Sequence, residues 1–520
     1  MNRHDWCAVL LAGVVGSWSA GCKEESEPSG SCVMLGQVCA GVQQLTLGSG
    51  TYHTDGASCA STIYVREGAS NGDGSQGAPL ADLPDGVAVA SPGDCIALAA
   101  GSYTGASVPG SVSILGRGAA QTTITGEATA LEITAGDDGL YRGVRITGSG
   151  VGVVVGAANN LTFESVEVAD VFGVGVLVRE GRYFTFEQSR IAGVQVLGND
   201  VVGVGLVNLG GPGIVIRNSL IEDCRGTALL ARDADLIVES SVLRNNEGYG
   251  VAASCQQCGA MVPIITVTDS LIEGNAGVGM WFKDVAPSVT NCVIAGTVRT
   301  IDGFSRSVEI VRGEPFVLSD NVIEGGQDMG VFLASARGDA ERNLVQDHAG
   351  RGIWVQQVVA PAGVFAVNLV DNFVSGNQEV GLGAMGEVVV NVTGGQIDDT
   401  ETKAIIVDNA LVEVGDALQI LTSSTVDADG VLFLGSGRAG VLVDGAGSFR
   451  IANSEFDDYG ELAIVVQNMV SWDPSESVPA SNTVLGGGGV SHTEYTNPED
   501  FLGWDPSEIP ISWDPSEQTF

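Results

Sequence analysis

Asn218-Ser-Leu-Ile221 returns as Ser240-Ser-Val-Leu243, Asp269-Ser-Leu-Ile272 and Asn291-Cys-Val-Ile294, then as Asp320-Asn-Val-Ile323, Arg342-Asn-Leu-Val345 and Asp371-Asn-Phe-Val374. The last residue of each phrase serves as a phase marker. Extended in both directions, the markers are Ile124, Ile146, Val168, Ile191, Ile221, Leu243, Ile272, Ile294, Ile323, Val345, Val374 and Ile397. Their spacings are 22, 22, 23, 30, 22, 29, 22, 29, 22, 29 and 23 residues. A glycine and an apolar run usually follow each marker, as in Gly173-Val-Gly-Val-Leu-Val178 and Gly277-Val-Gly-Met-Trp-Phe282. Two to three short β-rich runs per period, divided by Gly, Asn and Asp turns, predict one coil of a parallel β-solenoid. The leucine frame of leucine-rich repeats and the longer period of propeller blades are both missing.

The residue two places before the marker supports this phase. It is Ser189, Ser219, Ser241, Ser270, Cys292, Asn321, Asn343 and Asn372 in successive coils. Stacked about 4.8 Å apart, these small polar side chains can hydrogen-bond along the column and satisfy bent backbone. Turn preference alone explains their composition but not eight matches in phase.

The Asn-x-Ile type repeats resemble the right-handed parallel β-helix proteins of the pectate-lyase-like superfamily. So does the opening segment: Thr62-Ile-Tyr-Val65, Asn71-Gly-Asp-Gly-Ser75, Pro92-Gly-Asp94, Ile96-Ala-Leu98 and Gly101-Ser-Tyr103. The resemblance covers residues 58–470. It implies an all-β solenoid of alternating 22- and 29–30-residue coils, closed at its start by a short helix over Pro84–Ala90. It is specific for fold and weak for activity, because one fold hosts many functions.

The ends read differently. Cys7 to Gly16 is an apolar run too short to span a bilayer. It leads to Ser19-Ala20-Gly21-Cys22, which resembles a bacterial lipobox. Residues 1–21 are therefore expected to be a lipoprotein signal peptide, and Cys22 the lipidated residue. Residues 22–57 would form a Cys-containing tether. The expected location is the bacterial cell envelope, lipid-anchored at the outer membrane, with the membrane as one partner. Residues 471–520 hold nine acidic residues, no Lys or Arg, and three copies of Trp-Asp-Pro-Ser-Glu beginning at Trp472, Trp504 and Trp513. Each copy carries the capping pattern of one helical turn.

Export permits disulfides. Cys32, Cys39, Cys59 and Cys95 could pair in three ways, and Cys255-Gln-Gln-Cys258 reads as a loop disulfide. Cys224 and Cys292 fall at different phases and read as buried free thiols, so a four-cysteine metal site is rejected. The chain has 23 Lys+Arg against 63 Asp+Glu, a formal net charge of −40. That excludes nucleic acid as a partner. Two readings of the charge stay open: turn carboxylates that hold Ca²⁺, and charge that keeps the chain soluble.

Two candidate sites remain. The long coils contain Pro212, Cys255, Cys258, Pro263, Pro315 and Pro361, and the proline spacing predicts a row of binding loops leaving one edge on every second coil. The second is Asp347-His348 with Arg351, the one place in the coils where a histidine sits beside a carboxylate and an arginine for acid–base work. Relatives with lyase or hydrolase activity use Ca²⁺-holding carboxylates with a basic residue, or paired acids; neither signature is complete here. The sequence thus favours a non-catalytic binding or scaffold surface, for a polysaccharide or an envelope protein. The alternative is a carbohydrate-active lyase, epimerase or hydrolase.

Overall fold

The structure is a computed structural model. It describes residues 51–485, except 71, 149, 181, 196–202, 259–261, 301–302, 359–364, 408–409, 461 and 470–472. The signal segment, Cys22, Cys32, Cys39, Pro361 and the Trp472, Trp504 and Trp513 positions lie outside the described residues.

The repeat phrase folds as a turn and a strand. Its first residue is held in the left-handed region: φ is 50° at Asn218, 48° at Ser240, 50° at Asp269, 59° at Asp320 and 50° at Asp371. Asn and Asp tolerate that backbone better than other residues with a Cβ. The second residue turns inward, and the fourth sits in a three-residue strand. Those strands stack in parallel, each marker paired with the next, as in Ile221 with Leu243, Leu243 with Ile272 and Ile272 with Ile294. The pairing runs unbroken from Tyr103–Ile124 to Val374–Ile397, then to Phe433 and Phe456.

Two further strand columns complete each coil, for example Val278–Lys283 and Ala286–Thr290 ahead of Val293–Ala295. All coil-to-coil pairings are parallel; the antiparallel pair Lys403–Val407 with Ala410–Val414 is an insertion. The β-branched residues alternate in and out, as in Val388–Thr393, where Val388, Val390 and Val392 are buried. One apolar core fills the tube from Ile63 to Val466. Burial of each such side chain contributes about 1.5–3 kcal/mol.

The polar column lies inside that core as a ladder. Ser189 N–H donates to Ser219 Oγ (3.1 Å), Ser219 N–H to Ser241 Oγ (3.2 Å) and Ser241 N–H to Ser270 Oγ (3.1 Å). Cys292 N–H donates to Asn321 Oδ1 (2.9 Å), and Asn321 N–H to Asn343 Oδ1 (3.1 Å).

A second ladder, which the sequence reading missed, stands three residues after each marker. There Cys224 N–H donates to Asn246 Oδ1 (3.0 Å), Asn246 N–H to Asn275 Oδ1 (3.2 Å) and His348 N–H to Asn377 Oδ1 (3.2 Å). Cys224 and Cys292 are buried free thiols, as expected, and burial pushes both up to about 12.

Both ends differ slightly from expectation. The capping helix is Leu83–Val89, with Asp82 Oδ1 accepting the Leu83 N–H at 2.8 Å. Gly86 lets it close on the first coil, since a Cβ there would lie 3.0 Å from Val65 Cγ2. Cys59 is bonded to Cys95 in the first coil. At the far end the coils run past residue 470. Pro474–Ser477 is a single helical turn, with Ser475 N–H bonded to Asp473 Oδ1 at 2.8 Å. The chain then rejoins the stack: Thr483 and Val484 pair with Glu455 and Phe456, and Asn482 Oδ1 takes the Ser454 N–H at 2.9 Å.

Candidate functional site

Strand register locates the extra residues of the long coils. Phe172 pairs with Gln195, but Val174 pairs with Val204, so the extra residues enter between Gln195 and Val204. Ala276 pairs with Val298, but Val278 pairs with Arg306, which puts the next at 299–305. Ser375 pairs with Asp398 and Val380 with Asp416, so the hairpin of 403–414 is a third at the same corner. The other two leave the opposite corner. Arg232 pairs with Ser254 but Leu236 with Ile265, and Ala334 pairs with Gln356 but Gly338 with Val367.

The single row expected from proline spacing is therefore corrected to two rows, alternating between the corners. Proline marks any turn or bulge, inserted or not, and that is why its spacing misled. Pro212 lies within the strand Val204–Arg217, where the register shifts between Gly211 and Ile214. Pro315 is exposed between Arg306–Val311 and Phe316–Ser319. Cys255, Cys258 and Pro263 do belong to an insertion.

Both rows flank one strand column: Val174–Val178, Val251–Ser254, Val278–Lys283, Arg306–Val311, Met329–Ala334, Arg351–Gln356, Val380–Met385, Asp416–Leu421 and their neighbours. The inner side chains of this column join the core. The outer ones form clusters of their own, one around Tyr249, Val278 and Trp281 and one around Phe332, Trp354 and Met385. Corner residues fold over them: Phe304 packs on the first cluster and Val358 on the second. Trp354 lies across Gly383 of the next coil, where a Cβ would sit 2.1 Å from its ring.

The same face carries charge. Arg306 Nη1 lies 2.8 Å from Glu309 Oε2, and its guanidinium 4.3 Å from the Phe332 ring centroid. Glu309 and Asp416 have no exposed surface, and Asp416 is paired with Arg438, whose Nε donates to its Oδ1 at 2.8 Å. Arg351 stacks 4.2 Å from the Trp354 ring centroid with Nε 3.6 Å from Glu379 Oε2, and Lys403 of the hairpin donates to Glu379 Oε1 at 2.7 Å. Beside this group Asp328 has its carboxyl raised, by burial first and then by the charge of Glu379, against the pull of Arg351. Asp328, Glu379 and Lys403 escaped the sequence reading because only coil stacking brings them near Arg351.

Asp347, His348 and Arg351 have three different environments. Asp347 is exposed with φ 58°. His348 is fully buried in the second ladder, Nδ1 3.1 Å from Asn377 Oδ1 and Nε2 3.3 Å from Ser307 Oγ. Burial lowers its pKa to about 4, so the ring is neutral. Nδ1–H then donates to Asn377, and Nε2 accepts from Ser307. Among the described residues, the one group of three or more metal-capable side chains is Asp233, Cys255 and Cys258, not the all-oxygen set that Ca²⁺ takes. Cys255 and Cys258 form a disulfide.

A family profile described as "Right handed beta helix region" matches residues 129–294. The chain folds as a right-handed parallel β-helix. No curated protein matches it in sequence. Among solved structures it is similar to the mannuronan C-5 epimerase AlgE4 A-module of Azotobacter vinelandii, at 14% identity and TM-score 0.33, covering 83% of this chain and 100% of that one. It is also similar to tailspike protein 3 of bacteriophage CBA120, at 15% identity and TM-score 0.37, covering 83% and 62%. Pectate lyase Pel9A matches at 15% identity and TM-score 0.31, covering 64% and 78%. These neighbours are carbohydrate-active enzymes and a tailspike; at such identities and scores they carry no argument about activity.

Proposed function

We propose that this chain is a lipid-anchored binding or scaffold module of the bacterial cell envelope, with the two rows of corner loops as its contact surface and an elongated glycan as its ligand. One observation carries the reading. The face between the loops is the natural place for a cleft, yet its carboxylates Glu309, Glu379 and Asp416 are paired with Arg306, Lys403 and Arg438, and Glu309 and Asp416 are fully buried. Paired, buried carboxylates are poor proton donors and acceptors, and the loops are what remains for contact. A net charge of −40 repels polyuronates, so the reading favours a neutral glycan, or an acidic one bridged by Ca²⁺.

Asp328 favours a second reading, a carbohydrate-active enzyme. A carboxyl held toward its protonated form beside a paired carboxylate and cations is how acid–base roles are separated. A screen of the purified chain against polysaccharides, with and without Ca²⁺, should read both retention and product release. Binding that weakens at least tenfold when residues 257–262 or the 403–414 hairpin are excised, without product, supports the binder. Turnover that falls roughly 10²–10⁴-fold in Asp328→Asn, with retention intact, replaces it with the enzyme.

A further inference from the structure

Asp233 interrupts the strand Leu229–Glu239 with a left-handed backbone, φ 57°. Its Oδ1 accepts the N–H groups of Gln256 (2.6 Å) and Gln257 (2.8 Å) and lies 3.2 Å from Cys258 Sγ. A carboxylate from one coil thus pins the Cys255-Gln-Gln-Cys258 turn of the next. One ligand atom from each of Asp233, Cys255 and Cys258 lies within 4.8 Å of the others, and all three residues are half-buried. This corner is separate from the charged face; its loop belongs to the contact surface proposed above, but the site inferred here does not depend on that proposal.

We propose that, once the disulfide is reduced, Asp233, Cys255 and Cys258 form a three-ligand site for a borderline divalent cation of the Zn²⁺ type. Zinc takes thiolate at about 2.3 Å and carboxylate at about 2.0–2.2 Å, which spaces tetrahedral ligands roughly 3.5 Å apart. The sulfurs need only separate from their bond, because the carboxylate is already held in place. Two thiolates and a carboxylate select Zn²⁺ over Ca²⁺ or Mg²⁺, which take oxygen.

The chemistry balances. An external dithiol gives two electrons and two protons to the Cys255–Cys258 bond and is itself oxidised to a disulfide. Binding then releases the two thiol protons as the cation enters. A small-molecule disulfide that accepts the two electrons and is itself reduced to a dithiol re-forms the Cys255–Cys258 bond and expels the metal, so the site is gated by redox state.

The test titrates Zn²⁺, and Co²⁺ as a spectroscopic stand-in, into the full chain before and after reduction with a phosphine. Cys255→Ser/Cys258→Ser subtracts metal held by other thiols, and Asp233→Ala removes the carboxylate. Circular dichroism checks the coil in each variant. The reduced chain should hold one more equivalent than the double variant, with a thiolate-to-cobalt charge-transfer band. Asp233→Ala should weaken it at least tenfold, and the oxidised chain should lack it. Equal stoichiometry in the reduced chain and the double variant overturns the site. Undiminished affinity in Asp233→Ala overturns the three-ligand assignment, and equal binding before reduction overturns the gating.

Discussion

Asn372 Oδ1 accepts two hydrogen bonds from Asn343 one coil away, from its backbone N–H at 3.0 Å and from its Nδ2 at 2.9 Å. The Asn343 amide also donates to Leu318 O (2.9 Å), and its own Oδ1 accepts from Asn321. One side chain thus ties three coils together inside an apolar tube. Asn343→Leu leaves several of these buried groups without partners and should cost roughly 1–3 kcal/mol. Asn391→Leu, on the exposed outside, loses only a bond to Asn368 and should stay within about 0.5 kcal/mol. Urea unfolding of both variants checks this; equal losses would deny the ladder its role. Asn245, which the sequence presents as a plain turn residue, is a poor control because its φ is 54°.

The first ladder was legible because left-handed residue, ladder residue and marker fall within one four-residue phrase: Asp320, Asn321, Ile323. The second was not, because its occupants change type between coils, from Cys224 through Asn246 and Thr297 to His348. A signal did exist in the residue just before each, which is Asp223, Asn245, Gly296 and Asp347, all at positive φ. Reading His348 for its chemistry hid its place in that series. The loop corners were also hidden, since a spacing gives the number of added residues but not the turn that takes them. Only register, such as Val174 with Val204, separates the two.

The lipid anchor rests on Ser19-Ala20-Gly21-Cys22 alone. Cys22→Ser should move the protein from the membrane fraction to the soluble envelope fraction, since that thiol is the one acylation site expected. Retention of the variant on membranes after a salt wash would remove the anchor from the proposal.

Asp416, which opens the strand Asp416–Leu421, and Arg438, the residue just before the neighbouring strand Ala439–Asp444, form a buried pair on the loop-flanked face, their side chains 0% and 6% exposed. Arg438→Met strands a carboxylate there and should destabilise by about 3–5 kcal/mol. Asp416→Leu/Arg438→Met removes both charges and should recover most of that loss. The exposed pair Arg450–Asp427 should contribute at most about 1 kcal/mol. A double variant no better than Arg438→Met would mean that the pair is not the unit that matters.

His348 links stability to acid. Its pKa falls from 6.5 to about 4 on folding, chiefly by burial. Below pH 6.5 the unfolded chain takes up this proton while the folded chain excludes it, so acid favours unfolding. The stability of the neutral ring is complete above 6.5 and is lost as pH falls toward 4; the loss is on the order of 3 kcal/mol. Other carboxylates titrate in the same range, so the informative quantity is the difference between the chain and His348→Asn. Asparagine is the natural replacement, since Asn246, Asn275 and Asn377 fill equivalent ladder positions. Unfolding measured at neutral pH and near pH 4 should show the chain losing stability relative to the variant as the pH falls. The variant should also keep any ligand binding unchanged. A parallel decline in both proteins would show that His348 takes its proton as readily folded as unfolded, against its burial beside Ser307 and Asn377.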